Sequence, residues 1–238
     1  MGTALVTGAS QGIGADIARR LLEAGHAVVN LSRKPAPFEH ERLSNVACDM
    51  LDEASVEAAC IEIAELEITH VVHNAGLVWP NLVADATADE MAGMMAIHVT
   101  VPMRLTQAAL PGMRERGFGR IVFVTSRAAL GVPTRTAYSA SKAAVHGMAR
   151  TWALELAPEG ITVNSVAPGP ILTDNFWSII PQGSEREKKL AAALPVRRLG
   201  TVEDVTHAVL FFLDDRAGFT TGQTLYVCGG ASVGTVSL

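Results

Sequence analysis

Short apolar runs alternate along this chain with longer stretches of helical period, and no other feature restricts the fold as much. Runs at residues 4–6, 27–31, 71–73, 120–124, 161–166 and 224–227 read as strands, with a shorter one expected at 46–48. They are rich in Val and Ile and do not alternate in polarity, which is how strands read when both faces are covered. Between them, apolar residues recur at helical spacing. Val56, Cys60 and Ile63 do so in 53–65, Val145, Met148, Trp152 and Leu156 in 138–156, and Val205, Val209, Phe212 and Leu213 in 202–213. Strand–helix alternation implies an α/β fold, a doubly wound parallel sheet of about seven strands with helices on both faces. The 238 residues suffice for a single domain. Residues 171–195 break the pattern and read as a partly helical surface excursion.

Charge and cysteine content exclude several classes of partner. The chain carries 19 Lys and Arg against 24 Asp and Glu, a net charge of -5, which disfavours nucleic acid. Three cysteines, Cys48, Cys60 and Cys228, are too few and too scattered for a disulfide framework. The histidines lack the spacing of metal ligands, so no metal is expected. No apolar run is long enough to cross a membrane and the start does not read as a signal peptide, so a cytoplasmic protein with reduced thiols is expected.

Thr7–Gly8–Ala9–Ser10–Gln11–Gly12–Ile13–Gly14 lies between the first strand and a helix expected over 15–24. Glycines spaced in this way allow a tight turn and let main chain approach a pyrophosphate. The helix N-terminus offers free N–H groups and the positive end of its dipole. This placement reads as a dinucleotide site. The second strand ends at Leu31, where such a site meets the adenosine ribose. An acid there would take the 2′-hydroxyl, but Ser32–Arg33–Lys34 follows instead. A hydroxyl and two cations suit a 2′-phosphate, so NADP(H) is favoured and NAD(H) is the alternative.

Tyr138 and Lys142 stand four residues apart on one helix face. An ammonium beside a phenol favours the phenolate and lowers its pKa. A phenol tuned in this way can exchange a proton with a carbonyl or alcohol oxygen. Ser126 follows the strand that ends at Val124, at the sheet edge where open α/β folds bind ligands, and its hydroxyl could bind the same oxygen.

With these motifs in order, the whole chain resembles the short-chain dehydrogenase/reductase family, in particular its 3-oxoacyl reductases. The matching pieces are the glycine turn, Cys48–Asp49, Asn74–Ala75–Gly76, Ser126, Tyr138–Ser139–Ala140–Ser141–Lys142, Asn164, and Pro168–Gly169–Pro170 with Thr173. The resemblance implies a Rossmann-type fold and hydride transfer between a nicotinamide cofactor and a ketone or secondary alcohol. It implies that Tyr138 is the general acid/base, that Ser126 polarises the carbonyl, and that Lys142 tunes the tyrosine and holds the nicotinamide ribose. It further implies cofactor contacts at Gly8, Ser10, Gln11, Gly12, Ile13, Gly14, Ser32, Arg33, Asp49, Met50, Asn74, Ala75, Gly76, Tyr138, Lys142, Pro168, Gly169, Ile171 and Thr173. Family members form dimers or tetramers, and the apolar tail 231–238 fits such a contact.

Two residues depart from the family pattern. His98 replaces the asparagine usual in the helix before the fifth strand. It counts as a candidate catalytic residue, either a tolerated substitute or a member of the proton relay that ionises near ~6.5. Gln11 replaces the basic residue that NADP-preferring members often carry before the second glycine. For a small-molecule substrate, Trp79, Arg127, Leu130, Val132, Phe176 and Trp177 are the expected lining, and they suit an apolar body. An NAD(H)-linked alcohol or dihydrodiol dehydrogenase and a non-catalytic NAD(P)-binding regulator are the alternative functions.

Overall fold

The computed structural model describes residues 2–233. Seven strands form one sheet: β1 Thr3–Thr7, β2 Ala27–Ser32, β3 Leu43–Ala47, β4 Ile68–His73, β5 Gly119–Val124, β6 Ile161–Pro168 and β7 Thr224–Val227. Their order is β3-β2-β1-β4-β5-β6-β7, and every neighbouring pair is parallel. β3, expected at 46–48, begins earlier because it is an edge strand whose exposed Ser44 and Asn45 hide the apolar signal. Residues 234–238, most of the tail expected at an oligomer contact, lie outside the described residues.

The helices are α1 Gly12–Glu23, α2 Glu53–Ala64, α3 Ala88–Met95, α4 Val101–Arg116, α5 Thr136–Leu156, α6 Asp174–Trp177, α7 Glu185–Ala193 and α8 Val202–Leu213. A π turn, Ala96–Thr100, carries α3 into α4. This long run has Pro102 at its start and Pro111 inside, and α4 buries Val101, Leu105, Ala109 and Met113 along one face. α6 and α7 occupy the excursion 171–195 and bury none of their own residues. Ile180 and Leu194 anchor it instead.

Successive strand residues feed opposite cores, which removes any polarity alternation from the sequence. Leu5, Val29, Val71, Ile121 and Val163 pack with Val56, Ile63, Leu105, Met113 and Val145 of α2, α4 and α5. Val6, Val28, Val72, Val122 and Val166 pack with Ile17, Leu21, Val205, Val209 and Phe212 of α1 and α8. Each such side chain contributes about 1.5–3 kcal/mol on burial.

From β1 the chain winds one way to β2 and β3 and the other way to β4 through β7. The carboxyl ends of β1 and β4 therefore flank the point where strand order reverses, the crevice in which such sheets hold ligands.

Candidate active site

At that crevice the glycine turn is held from two sides. Thr7 Oγ1 accepts from the Asn74 and Ala75 N–H groups at 2.9 and 3.0 Å. Asn74 Nδ2 returns bonds to the Thr7 and Gly8 carbonyls at 3.1 and 3.3 Å. On the other side stands Asn30, fully buried in β2. Its Oδ1 accepts from Ala9 N–H at 3.0 Å, and its Nδ2 donates to Asn45 Oδ1 at 2.8 Å and to the Lys34 carbonyl at 3.2 Å. One amide thus fixes the glycine turn relative to the segment after β2. Asn30 is absent from the sequence expectations, although a polar residue inside an apolar strand is the signal that marks it.

Gly8 (φ +73°) and Gly12 (φ +54°) adopt left-handed conformations that favour glycine. Gly14 is required for closeness: a Cβ there would lie 2.3 Å from the Gly8 carbonyl oxygen and 2.5 Å from Asn74 Nδ2.

The turn opens onto a cleft of about 350 Å³. Of the expected cofactor residues, Gly8, Ser10, Gln11, Gly12, Ile13, Ser32, Arg33, Asp49, Met50, Asn74, Ala75, Gly76 and Thr173 line it. Lys34, Cys48, Leu51, Leu77, Ile97, Asp174 and Asn175 line it too. Most of these adjoin expected residues, so proximity in sequence was their signal. Gly14, Tyr138, Lys142, Pro168, Gly169 and Ile171 do not line the cleft. Gly169 packs on Cys228, where a Cβ would come within 2.8 Å of Cα. Ile171 turns into the core because it bridges to Gly200 and joins the α1–α8 cluster.

The cleft suits a dinucleotide on its own chemistry. Side chains of Asp52, Thr87, Ser184 and Thr201 cap α2, α3, α7 and α8. α1, which points at the cleft, has Gln11 as N-cap with no side-chain bond and no acid in its first turn. Its N–H groups stay available to an anion. Arg33 and Lys34 are exposed at the other end. The Ser32 hydroxyl bonds to the Lys34 carbonyl at 2.6 Å and to Asn30 Oδ1 at 3.0 Å, and so shapes the loop after β2.

The candidate chemistry adjoins this cleft. A Cβ built on Gly76 would lie 3.7 Å from Lys142 Nζ. Lys142 is buried, donates to the Val124 carbonyl at 3.0 Å, and is pushed down to about 8 by desolvation. Its Nζ stands 5.7 Å from the centre of the Tyr138 ring. The Tyr138 phenol sits above its ordinary value because burial outweighs the lowering by the Ser126 hydroxyl and the Arg135 guanidinium. Lys142 also donates to main chain, and Arg135, which the sequence reading passed over, is a further cation that lowers the phenol. Thr134 holds Arg135 through its carbonyl at 3.1 Å and Oγ1 at 2.7 Å.

That placement yields a prediction. Arg135→Ala removes a cation that favours the phenolate, so the phenol pKa rises further. With Tyr138 as the base in alcohol oxidation, the pH–rate profile should move to higher pH, and Arg135→Lys should hold it near wild type. An Arg135→Ala profile at the wild-type position would separate Arg135 from the phenol.

His98 is buried in the π turn and neutral, its pKa pushed to about 2 by desolvation and then by Lys142. The ionisation near ~6.5 considered for it is displaced far below neutral.

Among the expected substrate residues, none lines the cleft. Leu130 is exposed, and Val132 and Arg127 are half-buried. The Trp79 ring lies on α3, within 2.7 Å of where a Gly93 Cβ would stand. Phe176 and Trp177 stack edge to face at 5.1 Å in α6.

A family model described as enoyl-(acyl carrier protein) reductase matches residues 8–232. The chain belongs to the short-chain dehydrogenase/reductase family. A (2S)-[(R)-hydroxy(phenyl)methyl]succinyl-CoA dehydrogenase subunit, BbsD of Thauera aromatica, is 34% identical over 241 residues and covers 97% of this chain and 96% of its own. A 3-oxoacyl-[acyl-carrier-protein] reductase of Haemophilus influenzae is 34% identical over 236 residues, covering 95% and 96%. The crystal structure of a putative NAD(P)-dependent gluconate 5-dehydrogenase from Beutenbergia cavernae, with bound NADP at low occupancy, superposes with a TM-score of 0.88. It is 29% identical over 98% of this chain and 97% of that one. Like its relatives, this short-chain dehydrogenase/reductase is an oxidoreductase acting on alcohol and ketone groups. Among the described residues, no helix is long and apolar enough to cross a membrane.

Proposed function

We propose that this short-chain dehydrogenase/reductase reduces a ketone of 3-oxoacyl type, or another with an apolar body, using NADPH, and oxidises the alcohol in reverse. The observation that carries this reading is that Tyr138 and Lys142 stand together beside the dinucleotide cleft, with Lys142 Nζ 5.7 Å from the Tyr138 ring and 3.7 Å from where a Gly76 Cβ would stand, and with burial keeping the phenol protonated. Ser126 Oγ accepts from Ala128 N–H at 3.1 Å and bonds to the Tyr138 phenol, so its proton already faces the place where a substrate oxygen would sit. A substrate carbonyl oxygen would take one hydrogen bond from Ser126 and the proton from Tyr138. Oxygen charge that develops in the transition state then meets donors already in place. Lys142 adds a fixed positive charge nearby. The bound nicotinamide supplies the hydride.

Arg33, Lys34, Asn74, Asp49 and the glycine turn would hold the cofactor, and the two cations favour a 2′-phosphate. The 3-oxoacyl reductase and the NADP-bound neighbour support the same choice. Gln11, which brings no cation to the turn, supports NAD(H) as the second reading. A purely regulatory binder would need none of Ser126, Tyr138 and Lys142. On this reading the chain acts as one catalytic domain in the cytoplasm, as a dimer or tetramer, and residues 171–195 shape substrate choice.

A panel of 3-oxoacyl thioesters, aromatic ketones, cyclic ketones and sugars, run with each cofactor, tests the reading. Turnover of an apolar ketone with kcat/KM higher for NADPH than for NADH is expected. A ratio below one would assign NAD(H). Cofactor binding with no turnover across the panel would make the protein a regulator.

A further inference from the structure

The partners of His98 fix which of its nitrogens carries the proton. Leu77 N–H can only donate, so Nε2, at 3.3 Å, accepts. A neutral ring then carries its proton on Nδ1 and donates to Ser141 Oγ at 2.9 Å. Ser141 Oγ in turn donates a hydrogen bond to the Tyr138 carbonyl at 2.9 Å. The three bonds run in one direction, from the loop after β4 to the main chain of the tyrosine. The imidazole also stands edge to face on the Tyr138 ring, with centroids 5.5 Å apart.

Both ends of this chain belong to the site. Gly76 and Leu77 line the cleft, as does Ile97, the neighbour of His98. Gly76 is pinned against the ring, since a Cβ there would come within 2.8 Å of Nε2. The π turn, a feature frequent at functional sites, carries His98 at its centre. Nothing in its surroundings invites a second proton. The charged or titratable groups facing the ring are Lys142 and Tyr138, one a cation and the other a neutral phenol.

We propose that His98 is a positioning residue, a permanently neutral brace in the Nδ1–H form that ties the cofactor-side loop at Gly76–Leu77 to the backbone of Tyr138. It carries no proton in the reaction. The inference rests on Tyr138 acting as the proton donor. A displacement of a reacting group by about 1 Å costs on the order of 100-fold in rate, which is the leverage such a brace has.

Four variants and one spectrum test it. His98→Leu fills similar space and removes both polar atoms, and Ser141→Ala cuts the chain one bond later. Each should lower kcat at least about tenfold with substrate KM within about threefold, because geometry rather than ground-state binding is lost. The double variant should be no slower than His98→Leu alone, since both break one chain. His98→Asn, which keeps a donor and an acceptor, should recover most of the loss.

In the wild type, nitrogen-15 NMR of the histidine rings should show His98 in the Nδ1–H form, unchanged between about pH 5 and 9. A ring that titrates in that range, an Nε2–H tautomer, full kcat in His98→Leu, or multiplying effects in the double variant would each overturn the brace. The spectrum needs no turnover. If Tyr138 proved not to be the proton donor, the tautomer would still report on the brace alone. If His98→Leu failed to fold, Ser141→Ala and the wild-type spectrum would decide.

Discussion

Tyr138→Phe is expected to lower kcat for ketone reduction by about 10²–10⁴-fold while NADPH binding stays within about twofold. The substitution removes one oxygen. The ring keeps its edge-to-face contact with His98, and the Ser141 bond reaches the Tyr138 carbonyl rather than its side chain. Helix α5 therefore loses no packing, and the thermal midpoint should not fall by more than about 2 °C. The pH dependence adds a second check. Reduction needs a protonated phenol, and burial holds that proton above the ordinary tyrosine range. On raising pH, the first group to change is Lys142, pushed down to about 8. Wild-type kcat/KM should begin to fall there as the buried cation is lost, and fall again as the phenol ionises. In Tyr138→Phe the later limb should vanish. Retention of more than about a tenth of wild-type kcat would mean that the proton comes from another group.

What could be read from the residues alone divides along a physical line. Gly8, Gly12 and Gly14 stood out because backbone geometry and closeness leave no other residue type, and Tyr138 and Lys142 because helical period brings them to one face. The sheet was legible because strands covered on both faces have one composition. Tertiary pairing was not legible. Asn30 meets Asn45 only because β2 and β3 pair with these two residues opposite each other. Lys142 lies four residues from Tyr138, but its bond to the Val124 carbonyl and the placing of Arg135 near the phenol depend on tertiary structure. Trp79 looked like a pocket wall, but Gly93 of α3 offers its ring a flat seat. The role of His98 depends on two partners, Leu77 and Ser141, that are distant in sequence, and no local pattern announces them.

Replacing both cations after β2, in Arg33→Ala/Lys34→Ala, is expected to lower kcat/KM for NADPH by about 10- to 100-fold and to leave NADH within about twofold. The two side chains line one end of the cleft and are exposed, and among the described residues neither forms an ion pair. Their charge is thus uncommitted. Hydrogen bonds to charged groups contribute about 1.5–3 kcal/mol, which sets the size of the loss. The loop should survive the change, because it is held by main chain: Asn30 Nδ2 and the Ser32 hydroxyl both bond to the Lys34 carbonyl, which alanine retains. The cations are also solvent-facing, so salt should weaken NADPH binding more than NADH binding in the wild type, and the difference should disappear in the double variant. The lost activity should appear in KM rather than kcat, because Arg33 and Lys34 line the cleft, whereas Tyr138 does not. An equal loss with both cofactors would place Arg33 and Lys34 on a part shared by both dinucleotides, and an unchanged NADPH value would leave the 2′-phosphate without a site at this strand end.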